Sequence, residues 1–207
     1  WQKTYGGGDW AGAYSIHETS DGGYIVAGDT SSFGTGEPAV WVLKLRPDGT
    51  VDWQKAYGGD NLGRAHSIHE TNDGGYVVAG LRTMSLGAGG EKIPDIWVLK
   101  LRPDGTVDWQ KTYGKEGWEV AGSIQQTSDG GYIMAGETGN AHSGTGTLSI
   151  SGTKAWVLKL NPDGTVDWQK TYGGGSLNKA NSIHETRDGG YIVAGDTNSL
   201  GARYGDL

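Results

Sequence analysis

Apolar and polar residues alternate over short runs along this chain, and the same runs return. The clearest is Trp41 to Gly59, WVLKLRPDGTVDWQKAYGG, which comes back from Trp97 to Gly114 and from Trp156 to Gly174. Its second half, WQKTYGG, also opens the chain at Trp1. Val42, Leu43 and Leu45 sit in a β-branched and apolar stretch. After Pro47-Asp48-Gly49, the residues Val51, Trp53, Lys55 and Tyr57 fall on one side of a period of two, with Asp52 and Gln54 on the other. A period of two predicts a strand with two distinct faces. Between the strands, Pro presets φ, Asp bonds its own backbone and Gly takes the left-handed position without steric penalty, so the whole reads as a β-hairpin. A lone hairpin is at best marginally stable in water. Three copies are therefore expected to pack on other strands and on one another.

The pattern divides a single domain into repeats of residues 1–52, 53–108, 109–167 and 168–207, the last incomplete. Each repeat carries the same segments: AYSIHET (Ala13 to Thr19), GYIVAGDT (Gly23 to Thr30), VWVLKL (Val40 to Leu45) and TVDWQKAYGG (Thr50 to Gly59) in the first. All read as short strands bounded by turn residues. No segment joins a capping box to a helical period, so almost no helix is expected. Four short antiparallel strands recurring every fifty to sixty residues predict the blades of a β-propeller, an all-β fold with about four blades in this chain. The expected count is 15 of 16 strands, with Trp1 to Gly7 as the first; a segment of a larger ring, or a ring completed by another chain, fits that count best. Two tryptophan series, Trp53, Trp109, Trp168 and Trp41, Trp97, Trp156, are the expected wedges between blades. Gly28, Gly80, Gly136 and Gly195 close the second strand where a neighbouring ring or backbone comes near.

Spacing separates framework from variation. From the fourth-segment Trp to the next first-segment Ile is always 15 residues, and from Trp41, Trp97 and Trp156 to the following Trp always 12. The remaining interval is 25, 29 or 32 residues, so length varies only between segments two and three. In an up-and-down blade those loops emerge on the same side as the loops joining segment four to the next blade. That side is expected to carry ligand contacts, because binding residues concentrate on variable loops over a rigid scaffold.

Composition narrows the function. With 39 glycines, 9 tryptophans and 35% hydrophobic residues, the chain has turns and pleat-filling aromatics rather than a helical core. The net charge of −7 and the lack of a basic stripe argue against nucleic acid, and no apolar run is long enough to insert in a membrane. There is no cysteine, which excludes disulfides and thiolate metal sites without fixing a compartment.

The repeat WQKTYGG…SIHETSDGGYIVAGDT…WVLKLRPDGTVDWQKTYGG resembles that of bacterial and archaeal secreted or surface β-propeller proteins, over essentially the whole chain. The resemblance implies an extracellular or cell-surface propeller in structural or interaction roles. Its partners would be other propeller repeats, copies of the same chain, or extracellular glycans or proteins. The VLKLRPDGTVDWQK hairpin is more distantly similar to the tryptophan-docking repeat of pyrroloquinoline-quinone dehydrogenases. The vicinal cysteine pair often found in those enzymes is absent here.

Candidate chemistry is sparse. His17, His69 and His184 share one repeat position with Gln125, and Glu18, Glu70 and Glu185 share the next with Gln126. A ring of imidazoles could hold a metal, and paired carboxylates could do acid–base work. Repetition itself accounts for both sets, since copied units copy their structural residues. The Asp residues of the DGG and PDG turns are accounted for by turn chemistry. Trp10 and Trp118 differ in kind, because the other repeats carry Leu62 and Leu177 there. With Asp9, Asp60, Asn61, Arg64, Glu116 and Lys179 they form the expected ligand-binding set, placed in the loops between segments four and one. The sequence thus predicts a non-enzymatic binding or structural scaffold, with no catalytic residue, metal or cofactor. A glycan-binding propeller is the alternative, and a quinoprotein-type oxidoreductase a more remote one.

Overall fold

The computed structural model describes residues 1–32, 37–58, 62–85, 92–114, 117–144, 147–174 and 177–198. Among them fourteen strands form four antiparallel sheets, and there is no helix. Blade one holds β1 (Ala11–Glu18), β2 (Tyr24–Thr30), β3 (Ala39–Leu45) and β4 (Val51–Tyr57), hydrogen-bonded in chain order. Blade two holds β5 (Gly63–Glu70), β6 (Tyr76–Ser85), β7 (Lys92–Leu101) and β8 (Val107–Tyr113). Blade three holds β9 (Gly117–Gln126), β10 (Tyr132–Gly144), β11 (Thr147–Leu160) and β12 (Val166–Tyr172). Blade four, in the described residues, is the pair β13 (Asn178–Glu185) and β14 (Tyr191–Thr197).

Each DGG turn is made by its aspartate. Asp21 Oδ1 accepts from the Thr19 hydroxyl at 2.6 Å and from the Gly23 N–H at 2.9 Å, while Gly22 takes φ 78°. Lys44, reaching across from β3, meets the same carboxylate at 2.8 Å with its side chain 5% exposed. Lys100–Asp73 and Lys159–Asp129 repeat this distance in the next blades. The ammonium is thus drawn into the sheet with its partner at the surface, where the carboxylate keeps its hydration. Hydrogen bonds and the lysine charge hold Asp21 and Asp129 below the usual carboxylate range.

The core lies between blades, as the tryptophan series predicts. Trp97 of β7 packs among Val40 and Val42 of β3, and Trp156 of β11 among Ile96 and Val98 of β7. Trp53 meets the ring edge of Tyr76 at 5.9 Å, and Trp109 that of Tyr132 at 5.8 Å. A ring of this size buries about 150–250 Å², roughly 4–6 kcal/mol at 25 cal/mol per Å² before ordering entropy is subtracted. Tyr57 and Tyr113 then fix the blade spacing, each donating its hydroxyl at 2.6 Å to the turn carbonyl of Gly105 or Gly164 in the next blade. The inner strands β1, β5, β9 and β13 lie side by side in that order. The rings of His17 and His69, on the first two of these strands, lie 3.8 Å apart between centroids.

Three expectations need correction. Trp1 to Gly7 is in no sheet, which leaves fourteen strands rather than fifteen in the described residues. No strand pairs with it among the described residues. It is held instead as β4 and β8 are held, by docking on the next blade: Trp1 Nε1 donates to Pro47 O at 3.2 Å, and the Tyr5 hydroxyl to Gly49 O at 2.7 Å. Val51 falls out of line with Trp53 because the ladder skips Asp52, a bulge between Lys44 and Leu45. The segment-two to segment-three connection of blade three, expected as a loop, continues the sheet as a two-stranded ribbon paired out to Gly144 and Thr147.

Candidate functional site

The inner strands share one irregularity. The β1–β2 register jumps between Ala13 and Ser15, β5–β6 between Ala65 and Ser67, and β13–β14 between Ala180 and Ser182. In blade three the partner of Gly136 is Ala121 and that of Ala135 is Ser123. The residues passed over are Tyr14, His66, Gly122 and Asn181, so each inner strand carries a β-bulge at one repeat position. A bulge leaves one residue unpaired and re-aims its side chain. It also explains the glycines that close the second strand. A Cβ on Gly28, Gly80, Gly136 or Gly195 would overlap the carbonyl oxygen of Gly12, Arg64, Val120 or Lys179, respectively. The close neighbour is bulged backbone rather than a ring.

Neighbouring bulges touch. Tyr14 meets the His66 ring edge-on at 6.1 Å, and His66 Nδ1 lies 2.7 Å from Ala121 O. A carbonyl only accepts, so Nδ1 donates and carries the proton. Burial lowers the His66 pKa, with the charges of Arg64 and Lys179 adding to it and Asp29 opposing. Arg64 and Lys179 thus reach one neighbourhood from different blades.

Beside Tyr14 is a buried carboxylate. Asp29 of β2 is 1% exposed, and its Oδ2 accepts from Arg64 Nε at 3.4 Å. Its Oδ1 has no hydrogen-bond partner of good geometry among the described residues. Gly12 lies opposite Asp29, where the other inner strands carry Arg64, Val120 and Lys179. A Cβ placed there would lie 3.1 Å from Asp29 Oδ1, 3.3 Å from the Tyr14 hydroxyl and 3.4 Å from the Trp10 ring. Glycine at this position lets an acceptor, a hydroxyl and an aromatic edge close in more tightly than a side chain would allow. Trp10 is 63% and Tyr14 47% exposed, and the Arg64 guanidinium lies 5.3 Å from the Tyr14 ring centroid. Burial and the Asp29 charge raise the Tyr14 pKa, so its hydroxyl stays protonated near neutrality. The group offers two stacking surfaces, a cationic donor, a hydroxyl and an anionic acceptor.

Of the residues expected to bind, Trp10 and Arg64 come together here. Arg64, Trp118 and Lys179 stand on strands β5, β9 and β13 rather than in loops, because the inner strands begin earlier than the segment pattern suggests. Asp9 is exposed beside Trp10, its N–H donating to Ser32 Oγ at 3.1 Å. Trp118 is half-buried opposite Gly139. Its neighbours Gly117 and Glu119 line a cleft of about 890 Å³ between blades two and three, and alternation turns the indole to the other side. Asp60, Asn61 and Glu116 lie outside the described residues. The sequence reading missed Tyr14, Asp29 and His66. Their signal is variation inside the framework: Tyr14, His66, Gly122 and Asn181 share a repeat position yet differ completely.

The repeated histidines and glutamates have separate roles. His17 and His69 lie with centroids 3.8 Å apart and their planes tilted by 44°, and no group of three or more His, Asp or Glu suited to a metal occurs among the described residues. Glu70 accepts from Ser20 N and Oγ of the preceding blade at 2.8 Å each, and Glu185 from Ser128 at 2.7 and 2.9 Å. Gln126 makes the corresponding bond to Asn72 N at 2.8 Å. These are clamps between blades.

Residues 19–52 match a family described as "Domain of unknown function (DUF5122) beta-propeller". That stretch covers most of blade one and supports the reading of the chain as a propeller repeat protein. No curated protein matches the chain.

Proposed function

We propose that this chain is a non-enzymatic binding or structural scaffold of extracellular or cell-surface type, taking its ligand on the side that carries the segment-two to segment-three connections. The observation that supports this is the cluster over Gly12, where exposed Trp10 and Tyr14 stand beside the buried carboxylate of Asp29 and the guanidinium of Arg64. A second reading, glycan binding, is favoured by the same set. A sugar ring stacks its C–H face on an aromatic, while adjacent hydroxyls donate to a carboxylate and accept from a guanidinium. The test is a panel of immobilised glycans and extracellular proteins, probed with the wild-type chain and with Trp10→Ala and Gly12→Val. Val120 occupies the position equivalent to Gly12, and in the second variant the added side chain would press on Asp29 Oδ1, the Tyr14 hydroxyl and the Trp10 ring and push them apart. Both variants are expected to lose binding, Trp10→Ala with Tm changed by less than about 2 °C, within the range of neutral surface substitutions. Wild-type protein that binds nothing, or binding that survives both substitutions, overturns the assignment.

A further inference from the structure

The guanidinium of Arg64 is held in place with most of its donors still to spare. Its Nε donates to Asp29 Oδ2 at 3.4 Å, and its central carbon lies 5.3 Å from the Tyr14 ring centroid. Asp29 is its one hydrogen-bond partner among the described residues, so the terminal nitrogens Nη1 and Nη2 keep their N–H groups. The Arg64 side chain is 40% exposed, whereas that of Asp29 is 1% exposed. A guanidinium tied down through Nε still presents its end-on edge, and that edge matches a second carboxylate bidentately. The fold does not require this ion pair. Arg64 pairs with Leu81 in the β5–β6 ladder as Gly12 pairs with Asp29 in β1–β2 and Val120 with Glu137 in β9–β10. Between blades two and three the two positions are therefore filled by Leu81 and Val120, so an apolar pair serves there. The charged pair between blades one and two marks a surface requirement rather than a packing one.

We infer that the cluster over Gly12 takes an acidic sugar: a uronate residue stacked on the exposed aromatic surface of Trp10 and Tyr14, its carboxylate gripped by Nη1 and Nη2 of Arg64. The inference rests on the glycan reading of the same site and names the sugar class within it. Trp10 and Tyr14 offer the C–H face of a sugar ring its stacking surface. A neutral sugar would cover the guanidinium without supplying an anion, and donors taken from water without an acceptor are costly. A uronate carries its carboxylate one bond outside the ring, so a single residue can stack and form the ion pair together. Arginine suits this better than lysine, because a planar fork fixes direction as well as charge. Asp29 cancels part of the positive field and in exchange fixes the orientation of the fork. The chain carries a net charge of −7, so it repels polyanions as a whole, and a preference for acid has to come from a local contact.

The probes are tetrasaccharides of galacturonate, mannuronate and glucuronate, each paired with its carboxyl-reduced neutral counterpart and titrated calorimetrically into the whole chain. At least one uronate is expected to bind about tenfold more tightly than its neutral counterpart, the size of one charge-assisted contact. Arg64→Lys, which keeps the charge and loses the fork, is expected to lose most of that preference. Asp29→Leu combined with Arg64→Val copies the pair found between blades two and three, so the variant is expected to fold and to bind acidic and neutral forms alike. Near-UV dichroism checks its fold. Equal binding of acidic and neutral forms by the wild-type chain overturns the inference and leaves the glycan reading standing. Binding of no probe overturns it as well, and the glycan reading then rests on the wider panel alone. A preference that survives the combined substitution puts the carboxylate elsewhere, which also overturns the assignment. So does dextran sulfate competing as well as the uronates, since that is attraction to charge alone.

Discussion

The two ends of each blade are built on opposite rules. At the end carrying the DGG and PDG turns, the same bonds recur within each blade and between neighbouring blades. Lys44, Lys100 and Lys159 meet their aspartates at one distance, and Glu70, Gln126 and Glu185 clamp the preceding turn. At the other end the same sheet positions diverge: Gly12, Arg64, Val120 and Lys179 on the inner strands, and Tyr14, His66, Gly122 and Asn181 at the bulges. The backbone is shared at both ends, so divergence at one end has no counterpart in fold stability. A repeat protein sums nearly identical interface terms. Identical bonds mark where that sum is made, and differing side chains mark where the surface meets something else.

Gly80→Ala breaks this division most severely, because it acts on the backbone that both ends share. The new methyl would overlap the Arg64 carbonyl at the bulge. Backbone cannot swing aside as a side chain can, so the bulge must shift and carry His66 with it. The expected loss is roughly 3 kcal/mol, the upper range for overpacking. Gly8→Ala, with nothing within 4 Å of the added carbon, is expected to stay within about 0.5 kcal/mol. Denaturant melts of the two variants check the contrast. Equal losses would mean that glycine content, not the bulge contact, decides stability.

Acid separates the axis from the turns. Burial, helped by the charges of His17 and His184, holds His69 at about 4. Burial and His184 likewise lower His17. An unfolded histidine titrates near 6.5. The folded chain therefore binds fewer protons than the unfolded chain below that pH. Stability is full above about pH 6.5 and falls as pH drops toward 4, by up to roughly 3 kcal/mol for His69. Asp73 is held at about 2, so the turn contribution is lost only below about 4. Asp95, raised by burial, works in the opposite sense. The clean reading is therefore the difference between wild type and His69→Gln, a substitution that gives blade two the residue blade three carries as Gln125. Calorimetry at pH 7.5 and 4.5 is expected to show a smaller drop in Tm for the variant. An unchanged drop would remove His69 from the account.

Much of the framework was legible because it repeats. The period, the turns and the tryptophan wedges all follow from the spacing, and the segment from Gly23 to Thr30 differs from β2 by a single residue. What was not legible depends on the bulge. Ala13-Tyr14-Ser15 reads as ordinary alternation, and nothing local says that the ladder skips Tyr14. Only the placement of Gly28 against the Gly12 carbonyl reveals it. Asp29 was hidden for a related reason: in sequence it is a strand-ending polar residue, and only pairing with β1 and the reach of Arg64 from the next blade make it the floor of a site. Ring curvature brings residues some fifty positions apart together, and periodicity alone carries no such distance.

The smallest expected effect tests the repeated end most directly. Glu70 holds the Ser20 N–H with one oxygen and the Ser20 hydroxyl with the other. A glutamine keeps an acceptor for the N–H, and its amide can donate to the hydroxyl oxygen instead. Blade three already uses that solution, with Gln126 accepting from Asn72 N. If the clamp works by hydrogen bonding, Glu70→Gln changes stability by less than about 0.5 kcal/mol, whereas Glu70→Ala, which abandons both bonds, loses about 1 kcal/mol. If charge were the working element, glutamine would lose as much as alanine, and Gln126 would be a defect in blade three rather than a variant of the same joint. Thermal melts of both variants at pH 7.5 separate these outcomes.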